Sequence, residues 1–143
     1  MKQPQNFENH VKIVPVFMAA LGIFAINLLW SIFRVIQSFS AETVISLLLA
    51  IAFLLGFFCA RTFALTVQDR VIRLEMRLRL QTILPPGLQA RIPEFDLDQL
   101  IALRFAGDTE LPELARKVLD EKLSDRKAIK KMVRDWQPDL LRA

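Results

Sequence analysis

The chain has very few of the residues from which most catalytic and metal-binding sites are built. Its 143 residues include one cysteine, one histidine and no tyrosine. A single cysteine excludes an internal disulfide, and one cysteine with one histidine is too few for a zinc site. The four glycines form no phosphate-binding loop. We therefore expect a protein that is not an enzyme and that needs no metal or cofactor.

Charge is missing from two long stretches near the N-terminus. Residues Ile13–Phe33 carry no formal charge, and a second apolar run, Val44–Ala60, lies between Glu42 and Arg61. Apolar runs of about 17 to 25 residues match the hydrocarbon thickness of a bilayer at helical rise. A cleaved signal peptide would have a shorter run and no second span. The sequence therefore predicts two transmembrane helices, at about 11–36 and 42–61, which both remain in the mature protein.

The predicted fold is an all-α membrane protein in three parts. Residues 1–61 hold the N-terminal segment and a two-helix hairpin, closed by a turn at 37–41 in which Ser40 is a plausible N-cap. Helix two is expected to continue into the cytosol as a juxtamembrane exit helix over 62–84, because a helical apolar pattern persists until two prolines and a glycine follow. Residues 85–143 are expected to form a small helical domain of about three short helices.

The signals for helix starts and ends in this last part are well defined. Asp96 followed by Gln99 resembles a capping box, and Gly107 is placed for a left-handed stop. A second helix is predicted over 109–123, and Ser124 is expected to cap the third. Three short helices share only a small core, so we expect them to dock on the exit helix or on another chain.

The first apolar helix carries its polar residues on one line. Ala20, Phe24, Asn27, Ser31 and Arg34 recur at helical spacing. Such a line is expected to face protein, because an unpartnered amide in hydrocarbon is costly. Asn27 is the best candidate for a polar contact between helices, either with the second helix or with another copy.

Two further features of the hairpin indicate packing. Arg34 is expected either to pair with Glu42 across the mouth of the hairpin or to extend to lipid headgroups. Ala52, Gly56 and Ala60 form a small-residue ridge on the second helix. Ridges of this kind allow two membrane helices to approach closely, but they do not indicate which helix is the partner.

Basic residues indicate the orientation. The stretch 61–79 holds five arginines against one aspartate and one glutamate. By the positive-inside rule, both termini are expected in the cytoplasm of a bacterial inner membrane. These arginines form a basic collar that either only sets this orientation or also attracts anionic lipids. The collar consists of Arg61, Arg70, Arg73, Arg77 and Arg79.

The exit helix has two apolar faces, one with Val67, Val71, Leu74 and Leu78 and the other with Leu65, Ile72, Met76 and Leu80. A helix that is apolar on two sides needs two partners. Packing against the distal helices or a second chain is preferred over lying flat on the membrane.

Three segments resemble a bacterial family of small two-span membrane proteins that is classed as a domain of unknown function. They are ARTFALTVQDRVIRLEMRLRLQTILPPGLQARI, FDLDQLIALRFAGDTELPELARKVLDEKL and AIKKMVRDWQPD. The resemblance implies only a topology, an N-terminal hairpin with a cytosolic helical tail. Residues of its pattern, Arg61, Gln68, Asp69, Arg70 and Trp136, would then belong to a shared structure at the membrane exit.

The preferred function is assembly in the membrane, as a homo-oligomer or as an accessory subunit of a larger complex. The polar line of the first helix leaves open an oligomeric channel or transport component. A third alternative is a membrane-tethered nucleic-acid binder, motivated by five basic residues at 126–134. Nucleic acid is the less expected partner, because residues 94–125 hold nine acidic side chains against four basic ones.

Overall fold

The computed structural model describes residues 6–8 and 14–139, and it is all-helical over these residues, as predicted. Six α-helices and one 3₁₀ turn (Ile92–Glu94) are present there, without a strand. The helices are α1 (Pro15–Gln37), α2 (Ala41–Ile83), α3 (Pro86–Gln89), α4 (Leu97–Leu103), α5 (Leu111–Asp120) and α6 (Arg126–Met132). The described residues form two compact units, which we call the hairpin unit (14–65) and the tail unit (66–139 with 6–8).

The hairpin unit contains α1 and the first part of α2. Pro15 stands in the first turn of α1, where a missing N–H costs little; the predicted start near Val11 lies outside the described residues. Ser40 caps α2, since its Oγ accepts from the Thr43 backbone N–H at 3.3 Å and Thr43 Oγ1 accepts from the Ser40 N–H at 3.1 Å. The short turn between the helices is thus closed by reciprocal hydrogen bonds.

Both helices of this unit are long and apolar enough to cross a membrane. Little of either apolar segment is buried in the protein, which distinguishes them from the core helix of a water-soluble domain.

Helix α2 runs without a break from Ala41 to Ile83, as the pattern predicts. Its last carbonyls would lack partners at a helix end. The side-chain amide of Gln89 supplies two, because Nε2 donates to the carbonyl oxygens of Gln81 at 2.9 Å and Leu84 at 2.7 Å. The chain then turns at Pro85 into α3, so the predicted end of the helix is confirmed.

The tail unit packs its short helices around one face of α2. Ile72, Met76, Leu80 and Leu84 are buried in one cluster with residues of every later helix. That cluster contains Leu88, Ile92, Phe95, Leu100, Ile101, Ala102, Leu103, Ala106, Leu111, Leu114, Ala115, Val118, Leu119 and Ile129. The expected docking of the distal helices on the exit helix is therefore present.

Polar contacts tie the short helices together. The capping box predicted for α4 is confirmed, and the Gln99 side chain also donates to the Leu123 carbonyl at 2.9 Å, joining α4 to the end of α5. Arg91 bonds both Glu94 and Asp120. Hydrogen bonds to Asp120 and then Glu94 raise the pKa of the Arg91 guanidinium above its ordinary value.

Two predicted helix signals differ from the structure. Asp125, not Ser124, caps α6, because its carboxylate accepts from the backbone N–H groups of Lys127 and Ala128. Gly107 does not take a left-handed conformation. Its small size is used instead for a close approach, because its N–H donates to the Asp135 carbonyl at 2.8 Å and the last segment of the chain pairs alongside.

We predict that Gly107→Ala destabilises the tail unit by about 1–3 kcal/mol. A Cβ at this position would lie 1.9 Å from Asp135 Oδ2 and 3.1 Å from Asp135 Cβ, so the exposed Asp135 side chain must turn away and its Cβ must shift by a few tenths of an ångström. Denaturant unfolding followed by fluorescence measures the loss, with Trp30→Phe as background so that Trp136 reports the tail. Gly87→Ala is the matched control, because nothing lies within 4 Å of its Cβ. Equal stability of the two variants would contradict the prediction.

Helix α5 ends in a Schellman motif in which Lys122 has a φ of 49°. This left-handed conformation is unfavourable for a residue with a Cβ and natural for glycine. We therefore expect Lys122→Gly to stabilise the tail unit by about 0.5–1 kcal/mol. Lys117→Gly, inside α5, should lower stability by about as much. The same unfolding assay checks both, and a loss at Lys122 would refute the assignment.

Candidate functional site

The hairpin unit has a groove between α1 and α2. Its volume is about 380 Å³. It brings together four of the residues singled out from the sequence, namely Asn27, Ser31, Arg34 and Glu42. The rest of its lining is Trp30, Thr43, Ser46, Leu49, Ala50 and Phe53. The groove thus lies near the turn end of the hairpin and combines both charge signs with an aromatic wall.

Asn27 and Ser31 differ in what they do there. Ser31 is buried, and its hydroxyl donates to the Asn27 backbone carbonyl at 2.9 Å, one turn earlier on the same helix. The Asn27 side chain is exposed, and it makes no hydrogen bond to any residue that the structure describes. Of the two partners expected for Asn27, the second helix makes no polar contact with its side chain among the described residues, and a contact with another copy stays a prediction.

Arg34 and Glu42 line the same groove from opposite helices, and both are exposed. No ion pair joins them within 14–139. Thr43, the residue after Glu42, is buried, and its hydroxyl donates to the Ser38 carbonyl at 2.9 Å. The mouth of the hairpin is therefore held by hydroxyl groups of the turn, of which the sequence predicted the Ser40 cap but not the bonds of Thr43.

Aromatic rings form part of the contact between α1 and α2. Phe17 stacks on Phe57 with ring centroids 4.6 Å apart, and Phe24 lies 5.4 Å from Phe57 and 6.3 Å from Phe53. Arg61 lies over the Phe17 ring at 5.3 Å, a cation–π contact. Rings therefore fill one part of this helix pair, whereas the buried residues of the hairpin unit, Ser31, Thr43 and Ala50, are all small.

The small-residue ridge faces away from α1. Ala52, Gly56 and Ala60 are all exposed, and a Cβ built on Gly56 meets nothing within 4 Å. The ridge is thus free for a helix outside this chain, and its partner remains a prediction.

The five arginines of the basic collar fall into different environments. Arg70 and Arg73 are exposed, Arg61 lies on Phe17, and Arg77 is half-buried. Arg79 is different, because its side chain binds the tail unit itself. Of the five, Arg70 and Arg73 present their guanidinium groups most openly to solvent or to a lipid surface.

Arg79 joins α2 to the end of α4. Its Nη2 lies 2.6 Å from both Asp108 Oδ1 and the Ala106 carbonyl, and its Nε donates to Asp108 Oδ1 at 2.9 Å. Its Nη1 donates to the Arg104 carbonyl at 3.2 Å. These carbonyls follow a helix end where backbone acceptors lack partners. Its charge alone could not reveal this role, because the acceptors lie 25 or more residues away.

The basic residues at 126–134 are partly engaged as well. Arg126 pairs with Asp98, and Lys130 is buried with its ammonium 4.9 Å from the Phe105 ring. Phe105 in turn stacks on Trp136 at 4.5 Å. This arrangement matches the acidic and basic parts within one unit and leaves fewer free cations for a phosphate backbone.

Chemistry-bearing clusters are few in the described part of the chain. No group of three His, Cys, Asp or Glu side chains there could hold a metal ion. Cys59 is a free, exposed thiol on α2, and His10 lies outside the described residues.

Comparison with known proteins gives one match. A family model described as a family of unknown function, DUF6526, matches residues 1–143. No curated protein and no solved structure matches the chain.

We predict that Arg79→Ala lowers the stability of the tail unit by about 1.5–3 kcal/mol. The substitution removes a charged donor, and the oxygen atoms that accept its hydrogen bonds lose their partner. Arg73→Ala, which removes an exposed arginine from the same helix, should change stability by less than about 0.5 kcal/mol. Unfolding followed by Trp136 fluorescence compares the two. Equal effects would mean that the Arg79 contacts add nothing beyond a surface charge.

Proposed function

The chain belongs to the DUF6526 family of unknown function, and from its geometry we propose a non-enzymatic integral membrane protein that acts through assembly. In this proposal it is a homo-oligomer or an accessory subunit of a larger complex in a bacterial inner membrane. Both termini are cytoplasmic, and the tail unit extends into the cytosol.

The observation that carries the membrane placement is the surface of the hairpin unit. Outside the aromatic contact between its helices, large apolar side chains are exposed along both, including Ile23, Ile26, Leu29, Leu48 and Leu55. A water-soluble monomer rarely exposes so large a continuous apolar surface. A bilayer covers it at no cost, because lipid tails are as apolar as these side chains.

The argument for assembly rests on features that lipid does not satisfy. The exposed Asn27 amide lies in a polar groove, and amides in hydrocarbon are stabilised by hydrogen bonds across helices. The uncovered ridge at Gly56 offers a surface on which a further helix can approach closely. Both features are available to another chain, because the hairpin uses neither to hold itself together.

The basic collar supports the orientation. Arg70 and Arg73 lie just beyond the apolar segment of α2 and are exposed. In the proposed placement they are close to the cytoplasmic leaflet, where each basic residue gains about 1 kcal/mol from anionic lipid. The bilayer, including its anionic lipids, is thus the first partner of this protein.

The proposal is tested on the full chain in native membranes and in mild detergent. We expect it to resist carbonate extraction, a C-terminal reporter to be active in the cytoplasm, and native mass spectrometry to show a complex. A strict monomer that co-purifies with nothing would contradict assembly, and carbonate release would contradict insertion.

A matched glycine pair tests the ridge. Gly56→Ile should weaken the complex by on the order of tenfold, because branched bulk prevents close helix approach. Gly22→Ile on α1 is the control, since a Cβ there also meets nothing within 4 Å. A Cβ at either glycine meets nothing within 4 Å, so a difference between the two variants reports the complex. If both substitutions weaken the complex equally, the ridge is not part of the interface.

A further inference from the structure

One apolar face of α2 in the tail unit has no partner within the unit. Its residues follow each other at spacings of four, three and four, which places them on one side of the helix. We call them the exposed seam: Val67 (59% exposed), Val71 (47%), Leu74 (61%) and Leu78 (56%).

The seam is not an unfinished part of the tail core. The core is built on the opposite side of α2, where Ile72, Met76 and Leu80 are buried. The unit has thus covered one apolar face and left the other open. Exposed apolar rows of this kind mark an interaction surface.

The charges beside the seam indicate what covers it. Arg70 lies on one flank and Glu75 on the other, and both are exposed. Neither forms an ion pair with the residues described in the structure. They are five residues apart, so they project about 140° from each other around the helix and do not meet within one chain.

Two copies of α2 packed in parallel through the seam bring these flanks together. With Val71 and Leu74 at core positions a and d, Arg70 occupies g and Glu75 the following e. In a parallel pair, position g of one helix meets the next e of the other, so Arg70 faces Glu75 across the interface, and the two-fold axis repeats the pair. In an antiparallel pair, g meets g, which sets Arg70 and Arg77 against arginines.

We propose that the exposed seam is covered by the same seam of a second copy, in parallel and with two Arg70–Glu75 ion pairs. The inference rests on the proposed membrane placement. Every copy that follows the positive-inside rule has the same orientation in the membrane, so the α2 helices of two copies are parallel. The seam spans only about two heptads, which is short for a coiled coil in solution. Tethering in one membrane raises the effective concentration and compensates for this length.

Disulfide trapping in native membranes tests the contact. In a Cys59→Ala background, Leu74→Cys should give about tenfold more oxidised dimer than Arg73→Cys, because only facing core positions approach within disulfide distance. Arg73 is exposed on another side of the same helix, so it controls for random collision. No preference for Leu74→Cys, or its cross-linking to a different protein, would overturn the proposal.

Charge exchange tests the direction of packing. Arg70→Glu and Glu75→Arg should each reduce the trapped dimer by about threefold or more, and the double exchange should restore it. Both side chains are exposed, so the fold tolerates the changes. Single variants that trap as well as the parent, or a double variant that does not recover, would refute the pairing.

Native mass spectrometry of the same proteins separates this inference from the proposed function. If the complex persists but Leu74→Cys is not trapped, assembly is supported and the exposed seam is not part of the interface. A monomer that resists carbonate extraction contradicts both.

Discussion

The tail unit depends on the burial of one face of α2. The later helices are four to ten residues long, and helices of that length are marginal without tertiary packing. Ile72, Met76, Leu80 and Leu84 supply the surface on which they assemble, and Leu80 is fully buried. The core of the tail unit therefore includes the C-terminal part of α2, whose first part belongs to the hairpin unit.

Polar groups in the tail unit make this packing specific. Arg79 bonds the chain that follows α4, Gln99 bonds the end of α5, and Gln89 bonds the end of α2. Each satisfies backbone carbonyls near a helix end, where partners are otherwise missing. Apolar burial brings the helices together, and these side chains select one arrangement among those of similar apolar contact. In the hairpin unit aromatic rings form part of the helix contact, and Asn27, Arg34 and Glu42 are exposed.

Local signals in the sequence predicted much of this fold. The two apolar runs, the Ser40 cap, the capping box at Asp96 and the prolines after α2 act within one or two turns, so they can be recognised in the chain alone. The docking of the distal helices followed from an apolar pattern with two faces, but which face they cover did not, because both are equally apolar. The contacts that Arg79 and Gly107 make were not predicted, for a related reason. Their partners, Asp108 and Asp135, are near them only in the folded unit. Neither the charge of Arg79 nor the small size of Gly107 predicts which distant residue it contacts.

The pairing of Ala106 with Trp136 has a consequence for biosynthesis. The contacts of the hairpin unit join neighbouring helices, so they can form as soon as the second arm leaves the ribosome. In the tail unit, Trp136 stacks on Phe105 and the Gln137 N–H donates to the Phe105 carbonyl, and these contacts form only after residues 136 and 137 have been synthesised. Most of its apolar helices are therefore synthesised before the segment that completes them. During that interval the nascent tail exposes apolar surface, which makes it prone to aggregation.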